Sequence, residues 1–196
     1  ENTFLYNDSY IDAIMNAAKS NSVSPFHIVS RILQEQGNDG EGVYAKGIEY
    51  NGRTVYNLFN IGATGGAGEY ENGAKRAYDE GWFSVESSIQ GGTRFIKTNY
   101  INRGQVSLYF QKYNVVEAGN FYNHQYMQNI GAARTEGLNT YNGYKKNGIE
   151  NSSFEFVIPL YQNMPQYASY RPNDSYMGQI NTALSSMNLI ESNFLA

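Results

Sequence analysis

The stretch Ser24-Pro25-Phe26-His27-Ile28-Val29-Ser30-Arg31-Ile32-Leu33-Gln34-Glu35-Gln36-Gly37 reads as one helix whose buried face ends in a carboxylate. Serine accepts a backbone N–H as N-cap, proline suits the first helical position, and glycine suits the left-handed residue past the end. Between these marks Ile28, Val29, Ile32 and Leu33 recur at the spacing of one helical face, and Glu35 follows Ile28 by seven residues and Ile32 by three. Glu35 therefore lies beside the apolar stripe. Two effects raise its affinity for a proton there: partial desolvation disfavours the charge, and the negative end of the helix dipole lies in its own last turn. A solvated or salt-bridged glutamate at a fraying helix end has the same local signature, so position alone only nominates Glu35.

Upstream, Asp8 or Ser9 can cap a helix with Tyr10, Ile11, Ile14, Met15 and Ala18 as its buried stripe, ending near Asn21. Downstream, residues 42–61 are β-branched and aromatic and are broken by Asn51-Gly52, the strongest short hairpin signal. That predicts a small β-rich lobe. The glycines from Gly62 to Gly68, with Gly65-Gly66 at their centre, predict a mobile surface loop near a cleft wall, and no GxxxxGK[ST] spacing makes them a phosphate cradle. Further helices are predicted over Asn72–Glu80, after a Ser84 cap with Ile89, Phe95, Ile96 and Tyr100 inward, over Val106–Lys112 and over Phe121–Thr135. Gly91-Gly92 fall inside the Ser84 helix at a cost of about 1 kcal/mol each, which predicts a close helix–helix contact there. Residues 139–151 are rich in Asn, Gly and Lys; Phe154–Ile158 reads as a short strand closed by Pro159, the stretch from there through residues 170–174 as loop, and Tyr176–Leu189 as a weak amphipathic helix.

The chain of 196 residues fits one domain, with a core over about 9–165 and a C-terminal extension over 166–196. It has no cysteine, which excludes a disulfide framework and thiolate chemistry. A net charge of -4 and only 16% charged residues argue against nucleic acid as a partner. The 18 tyrosines and 10 phenylalanines suit surfaces of flat rings with a polar edge, as sugar-binding grooves use. No apolar run approaches the roughly 18 residues of a membrane span, and a signal peptide is expected to be removed or to lie upstream. His27 and His124 lack metal-site spacing, so no metal or other cofactor is expected; His27 reads as a surface or capping residue and His124 as a loop residue.

Six segments, taken together, carry a resemblance to a known family. The helix Ser24–Gly37 is followed by Tyr56-Asn57-Leu58-Phe59-Asn60-Ile61-Gly62-Ala63, then Gly81-Trp82 after Ala77-Tyr78, then Phe95-Ile96 with Asn99-Tyr100-Ile101 and Gly104-Gln105. Next come His124-Gln125-Tyr126-Met127 with Asn129-Ile130, and Ile158-Pro159-Leu160-Tyr161 with Asn163-Met164-Pro165. In this order, over roughly residues 9–165, they resemble the bacterial cell-wall N-acetylglucosaminidases of the autolysin type, glycoside hydrolase family 73. The resemblance implies a mainly α, α+β, lysozyme-like fold: a helical lobe around a central catalytic helix, with a small β-rich lobe flanking a glycan-binding cleft. It further implies an endo-β-N-acetylglucosaminidase secreted to the bacterial cell wall, with peptidoglycan glycan strands as partner, no membrane partner, and a monomer. A muramidase or lytic transglycosylase on the same fold, and a glycan-binding module without activity, are the competing readings.

The family's glutamate corresponds to Glu35, the expected general acid, and its tyrosine facing that glutamate corresponds to Tyr126. Asn60 and Gln125 are candidates for hydrogen bonds to sugar N-acetyl groups. Hydrolysis also needs the oxocarbenium-like carbon stabilised, either by a second carboxylate or by the substrate's own 2-acetamido group. Glu41, Glu49, Glu69 and Glu71 are the candidate carboxylates, and Glu71 is the one nominated.

Overall fold

The computed structural model describes residues 3–64, 66–126, 129–164 and 166. Residues Glu1–Glu155 form one compact unit and Phe156–Ala196 a second. The first unit holds helices α1 (Asp8–Asn21), α2 (Pro25–Gln36), α3 (Val43–Lys46), α4 (Glu69–Asp79), α5 (Val85–Asn99), α6 (Leu108–Tyr113) and α7 (Ala132–Lys146), with strands β1 (Ile48–Tyr50) and β2 (Arg53–Val55) between α3 and α4. The architecture is α+β and mainly helical. Among the described residues no helix is long and apolar enough to cross a membrane.

The central helix α2 forms where the sequence predicts it. Ile28 and Ile32 are fully buried, Val29 and Leu33 pack against the same core, and Pro25 opens the helix without help from the Ser24 side chain. Each buried isoleucine contributes roughly 1.5–3 kcal/mol, enough to hold the last turn and its polar residues in place. Gly37 ends the helix at φ 78° with an extended ψ of 164°, and its N–H returns to the Leu33 carbonyl at 3.0 Å. A side chain at that φ would be strained.

Around α2 the helices pack in pairs: α1 on α5 and α2, and α7 on α2 and α6. Asn7, one residue before the expected cap, accepts the Tyr10 N–H at 3.1 Å and starts α1. The face α1 buries is Ala13, Ile14, Ala17 and Ala18, while Ile11 and Met15 stay exposed. The stripe is rotated from the expected one, because small alanines allow a closer approach to the neighbouring helices than Met15 would.

The hairpin has the register Ile48↔Val55, Glu49↔Thr54 and Tyr50↔Arg53, closed by Asn51 and Gly52, both at positive φ as a type I′ turn requires. It is smaller than the expected lobe, since residues 43–46 are helical. Ser84 caps α5 through a capping box with Ser87. Gly91 and Gly92 do mark close approaches, but to aromatic side chains rather than to another helix. A Cβ on Gly91 would lie 2.0 Å from Trp82 Nε1, and one on Gly92 2.1 Å from the Phe59 ring.

Two expected elements differ among the described residues. Over 121–126 and 129–131 the chain is turn and coil; residues 127 and 128 of the expected Phe121–Thr135 helix lie outside the described residues. Tyr122 and His124 adopt positive φ, and the N–H groups of Tyr122 and Tyr126 bond to the carbonyls of Asn114 and Gln111, both at 2.9 Å. Partners on and just after α6 replace those a helix would supply. The helix forms later, as α7, through Gly137, Asn139, Asn142 and Gly143, where packing on α2 and α6 outweighs poor propensity. The expected strand at 154–158 is also coil, with the Phe154 ring stacked on Tyr144 at 5.0 Å. In the second unit, residues 156–164 and 166 carry no helix or strand, and the loop at 170–174 and helix Tyr176–Leu189 lie outside the described residues.

Candidate active site

The last turn of α2 opens into a groove of about 980 Å³. Glu35 and Gln36 supply one part of its wall, Tyr44, Phe59, Asn60 and Tyr70 another, and Tyr100, Gln125 and Tyr126 a third. Of the residues nominated from sequence, the groove thus brings together Glu35, Asn60, Gln125 and Tyr126. Glu41 and Glu69 also line it. Glu71, the nominated second carboxylate, does not: it is exposed on the first turn of α4, and exposed Glu49, on β1, is bonded to Thr54. Glu71 shares the first turn of α4 with Glu69 and is outside the groove lining. Glu41 is exposed and ion-paired with Lys46.

Glu35 is half-buried, and burial pushes its proton affinity above the ordinary carboxylate range against the opposing pull of Arg31 and Asn60. Asn60 Nδ2 donates to Glu35 Oε2 at 2.8 Å, and Asn60 Oδ1 accepts from Gln36 Nε2 at 2.8 Å. Gln36 is itself buried, with its Oε1 accepting the Ala45 N–H at 3.1 Å. The carboxyl group is therefore oriented by an amide that is oriented in turn.

Tyr126 donates its hydroxyl to the Phe59 carbonyl at 2.8 Å and stands edge-on to Tyr100 with ring centroids 5.2 Å apart. Burial raises its phenol well above the usual value, so it is a neutral hydrogen-bonding group. Gln125 is exposed, donates to the Tyr122 carbonyl at 2.7 Å, and accepts from Lys112 at 3.2 Å.

Behind this wall lies a charged layer that the sequence reading missed. Arg31 and Glu136 are both fully buried, with Arg31 Nε 3.2 Å from Glu136 Oε2. Arg31 Nη2 donates to Gln111 Oε1 at 2.6 Å, and its guanidinium carbon lies 4.0 Å from the centroid of the Tyr126 ring. Burial pushes Glu136 up to about 7, with Arg31 opposing and Glu35 adding to the rise. His27, expected at the surface or as a cap, instead has its ring beside Gln111 and is pushed down to about 3 by desolvation and then by Arg31. His124 is a loop residue, as expected, and stacks on Tyr100 at 4.6 Å. A signal for Arg31 does exist, since it is three residues after Ile28 and four before Glu35 on the same face. Glu136 has no local signal. Among the described residues no group of three or more His, Cys, Asp or Glu is placed to hold a metal.

No family model matches the chain. It is 35% identical over 153 residues to the β-N-acetylglucosaminidase of Bacillus subtilis strain 168, covering 76% of this chain and 16% of that protein. It is 32% identical over 158 residues to the bifunctional autolysin of Staphylococcus epidermidis strain ATCC 12228, covering 76% of this chain and 11% of that protein. The chain thus spans less than a fifth of the length of either relative. In structure it is similar to a catalytic mutant of S. aureus autolysin E in complex with the disaccharide NAG-NAM, with TM-score 0.64 and 30% identity over 75% of this chain and 63% of that one. It is similar also to autolysin E bound to the muropeptide NAM-L-Ala-D-iGlu, with TM-score 0.67 and 29% identity over 80% and 67%. With a mainly helical lysozyme-like fold and this likeness across three quarters of its length, the chain is similar to the glucosaminidases of the autolysin type.

Proposed function

We propose that this chain is an endo-β-N-acetylglucosaminidase that hydrolyses peptidoglycan at the β-1,4 bond between N-acetylglucosamine and N-acetylmuramic acid, with Glu35 as general acid. The observation that carries this reading is the half-buried Glu35 carboxyl in the groove, its proton held by desolvation and its orientation held by Asn60. An acid whose proton affinity is raised by burial can deliver that proton to the leaving glycosidic oxygen as the C–O bond breaks. Positive charge then develops on the anomeric carbon. Its stabilisation falls to the substrate's own 2-acetamido carbonyl oxygen, with Tyr126 at the wall to orient that group. Water then opens the cyclic intermediate and releases a reducing glucosamine. Because that substrate lies in the bacterial wall, the proposed enzyme acts there as a secreted protein; a monomer is proposed with it.

The test is a digest of purified cell walls followed by borohydride reduction and sugar analysis. Reduced glucosamine at the new ends is the expected product. Reduced muramic acid would make the chain a muramidase, anhydro-muramic ends a transglycosylase, and absence of any wall clearing a binding module.

A further inference from the structure

Helix α4 carries a stripe that runs past the core and into the groove. Tyr70, Gly73, Ala74 and Ala77 stand at i, i+3, i+4 and i+7, which is one helical face. Gly73, Ala74 and Ala77 are buried, whereas Tyr70, at the head of the same face, is 56% exposed and lines the groove. We propose that Tyr70 is a sugar-stacking platform: its ring takes the C–H face of one pyranose of the bound glycan strand. This rests on the reading of the groove as a glycan site.

The ring is carried on a held backbone. Buried Tyr44 donates its hydroxyl to the Tyr70 carbonyl at 2.8 Å, with the Glu69 carbonyl 3.4 Å away. Gly73 makes that approach possible, since a Cβ there would overlap the Tyr44 hydroxyl. The N-cap of α4, Gly68, supplies no side-chain bond, and this buried phenol from α3 helps to hold the first turn against the groove wall. The Tyr44 and Tyr70 rings lie 6.4 Å apart and are tilted by 51°, so Tyr44 does not stack flat on the Tyr70 ring.

An aromatic side chain has few rotatable bonds, and one whose backbone is already held loses little freedom when a ligand settles on it. A β-linked pyranose has the matching form, because its axial C–H bonds make its faces apolar and its equatorial hydroxyls make its rim polar. The negative face of the Tyr70 ring attracts those C–H bonds. Glu69, the preceding residue, lines the same groove and brings carboxylate oxygens that accept from rim hydroxyls. One short turn of α4 thus presents both of the surfaces that a sugar ring needs.

The probe is a tetrasaccharide of alternating N-acetylglucosamine and N-acetylmuramic acid, bound to Glu35→Gln so that it survives the measurement. Intermolecular NOEs should join the assigned Tyr70 ring protons to the C–H protons of one pyranose. By calorimetry, adding Tyr70→Leu should weaken binding by about tenfold, the upper end of what one aromatic contact supplies. Tyr70→Phe should bind within about twofold of the parent, because stacking uses the ring and not the hydroxyl. Absence of the NOEs, or unchanged affinity in a Tyr70→Leu variant shown by circular dichroism to be folded, would overturn the proposal. The NOEs need no substitution at Tyr70, so they decide the matter even if the leucine variant misfolds. Cell walls left uncut by the wild type, with the Tyr70 NOEs present, would sink the proposed hydrolysis and keep the platform.

Discussion

Asn60 Nδ2 donates to Glu35 Oε2 at 2.8 Å, while the oxygen of the same amide accepts from Gln36 Nε2 at 2.8 Å. One asparagine thus fixes two consecutive side chains at the end of α2 from a loop position at φ 51°. Few residues tolerate that backbone geometry, and among them asparagine adds an amide of the right reach.

Asn60→Gly keeps the backbone conformation and deletes the amide. The bond favours the ionised carboxylate, so its loss should raise the Glu35 midpoint and move the basic limb of kcat/KM to higher pH. Loss of orientation should also lower turnover by about 10- to 100-fold. An unchanged pH profile with unchanged turnover would remove Asn60 from the control of Glu35.

Glu35→Gln should abolish hydrolysis while glycan binding survives, since the amide keeps the shape and loses the transferable proton. The same change has a stability consequence. The folded-state proton affinity of Glu35 is raised above 4.5, so ionising the wild type costs stability as pH rises through the folded midpoint. Above that midpoint Glu35→Gln should therefore unfold at the same or higher denaturant concentration than the wild type. A folded mutant with substantial activity would take Glu35 out of the mechanism.

The half of the site that local sequence signals can express was legible: the ends of α2, the isoleucine stripe, and Glu35 beside it all depend on neighbours within one or two turns. The hairpin and the α5 cap were legible for the same reason. The pairing of Arg31 with Glu136 was not, because Arg31 has only its place on the Ile28–Glu35 face as a signal, Glu136 has none, and the burial of this pair arises only when α7 docks on α2 across about a hundred residues of chain. The onset of α7 was obscured likewise. Tyr122 and Tyr126 take their backbone partners from Asn114 and Gln111, and nothing in residues 121–131 themselves announces that.

Tyr126→Phe separates two roles of one hydroxyl. Losing the bond to the Phe59 carbonyl should cost about 1 kcal/mol of stability, the net worth of an ordinary hydrogen bond. If the phenol also orients the acetamido group, kcat should fall by about 10²-fold, the scale of losing one stabilising donor. A melting-point drop with kcat within about twofold of wild type would return Tyr126 to a purely structural role.

His27 sets an acid limit to stability. It is neutral in the folded protein down to about 3, whereas the unfolded chain takes up its proton near 6.5. Between those values the unfolded state binds more protons, so stability should fall as pH drops through that window. Glu136 acts in the opposite sense: raised from 4.5 to about 7, its contribution is present below 4.5 and is lost as pH rises through 7. Urea midpoints of His27→Gln should accordingly decline less steeply from pH 6.5 to 4 than those of the wild type. Parallel declines would mean that His27 is accessible to protons in the folded state.

The remaining question is what stabilises the positive charge once Glu35 has given up its proton, and the groove narrows the candidates. Glu49 and Glu71 do not line it, so Glu49→Gln and Glu71→Gln should leave turnover within about twofold of wild type, as surface substitutions usually do. Glu41 and Glu69 do line it, one ion-paired with Lys46 and the other at the start of α4 next to the glycine-rich turn. If the substrate's acetamido oxygen attacks the anomeric carbon, Glu41→Gln and Glu69→Gln should each cost less than about tenfold, because neither carboxylate is then bonded to a reacting atom. If either is the nucleophile or the base that activates water, its removal should cost several orders of magnitude, and azide should restore turnover by entering the vacated space. Assays of the four variants on purified glycan strands, with folding checked by circular dichroism, discriminate the two routes. One folded and inactive variant at Glu41 or Glu69 would overturn substrate assistance and name the second carboxylate.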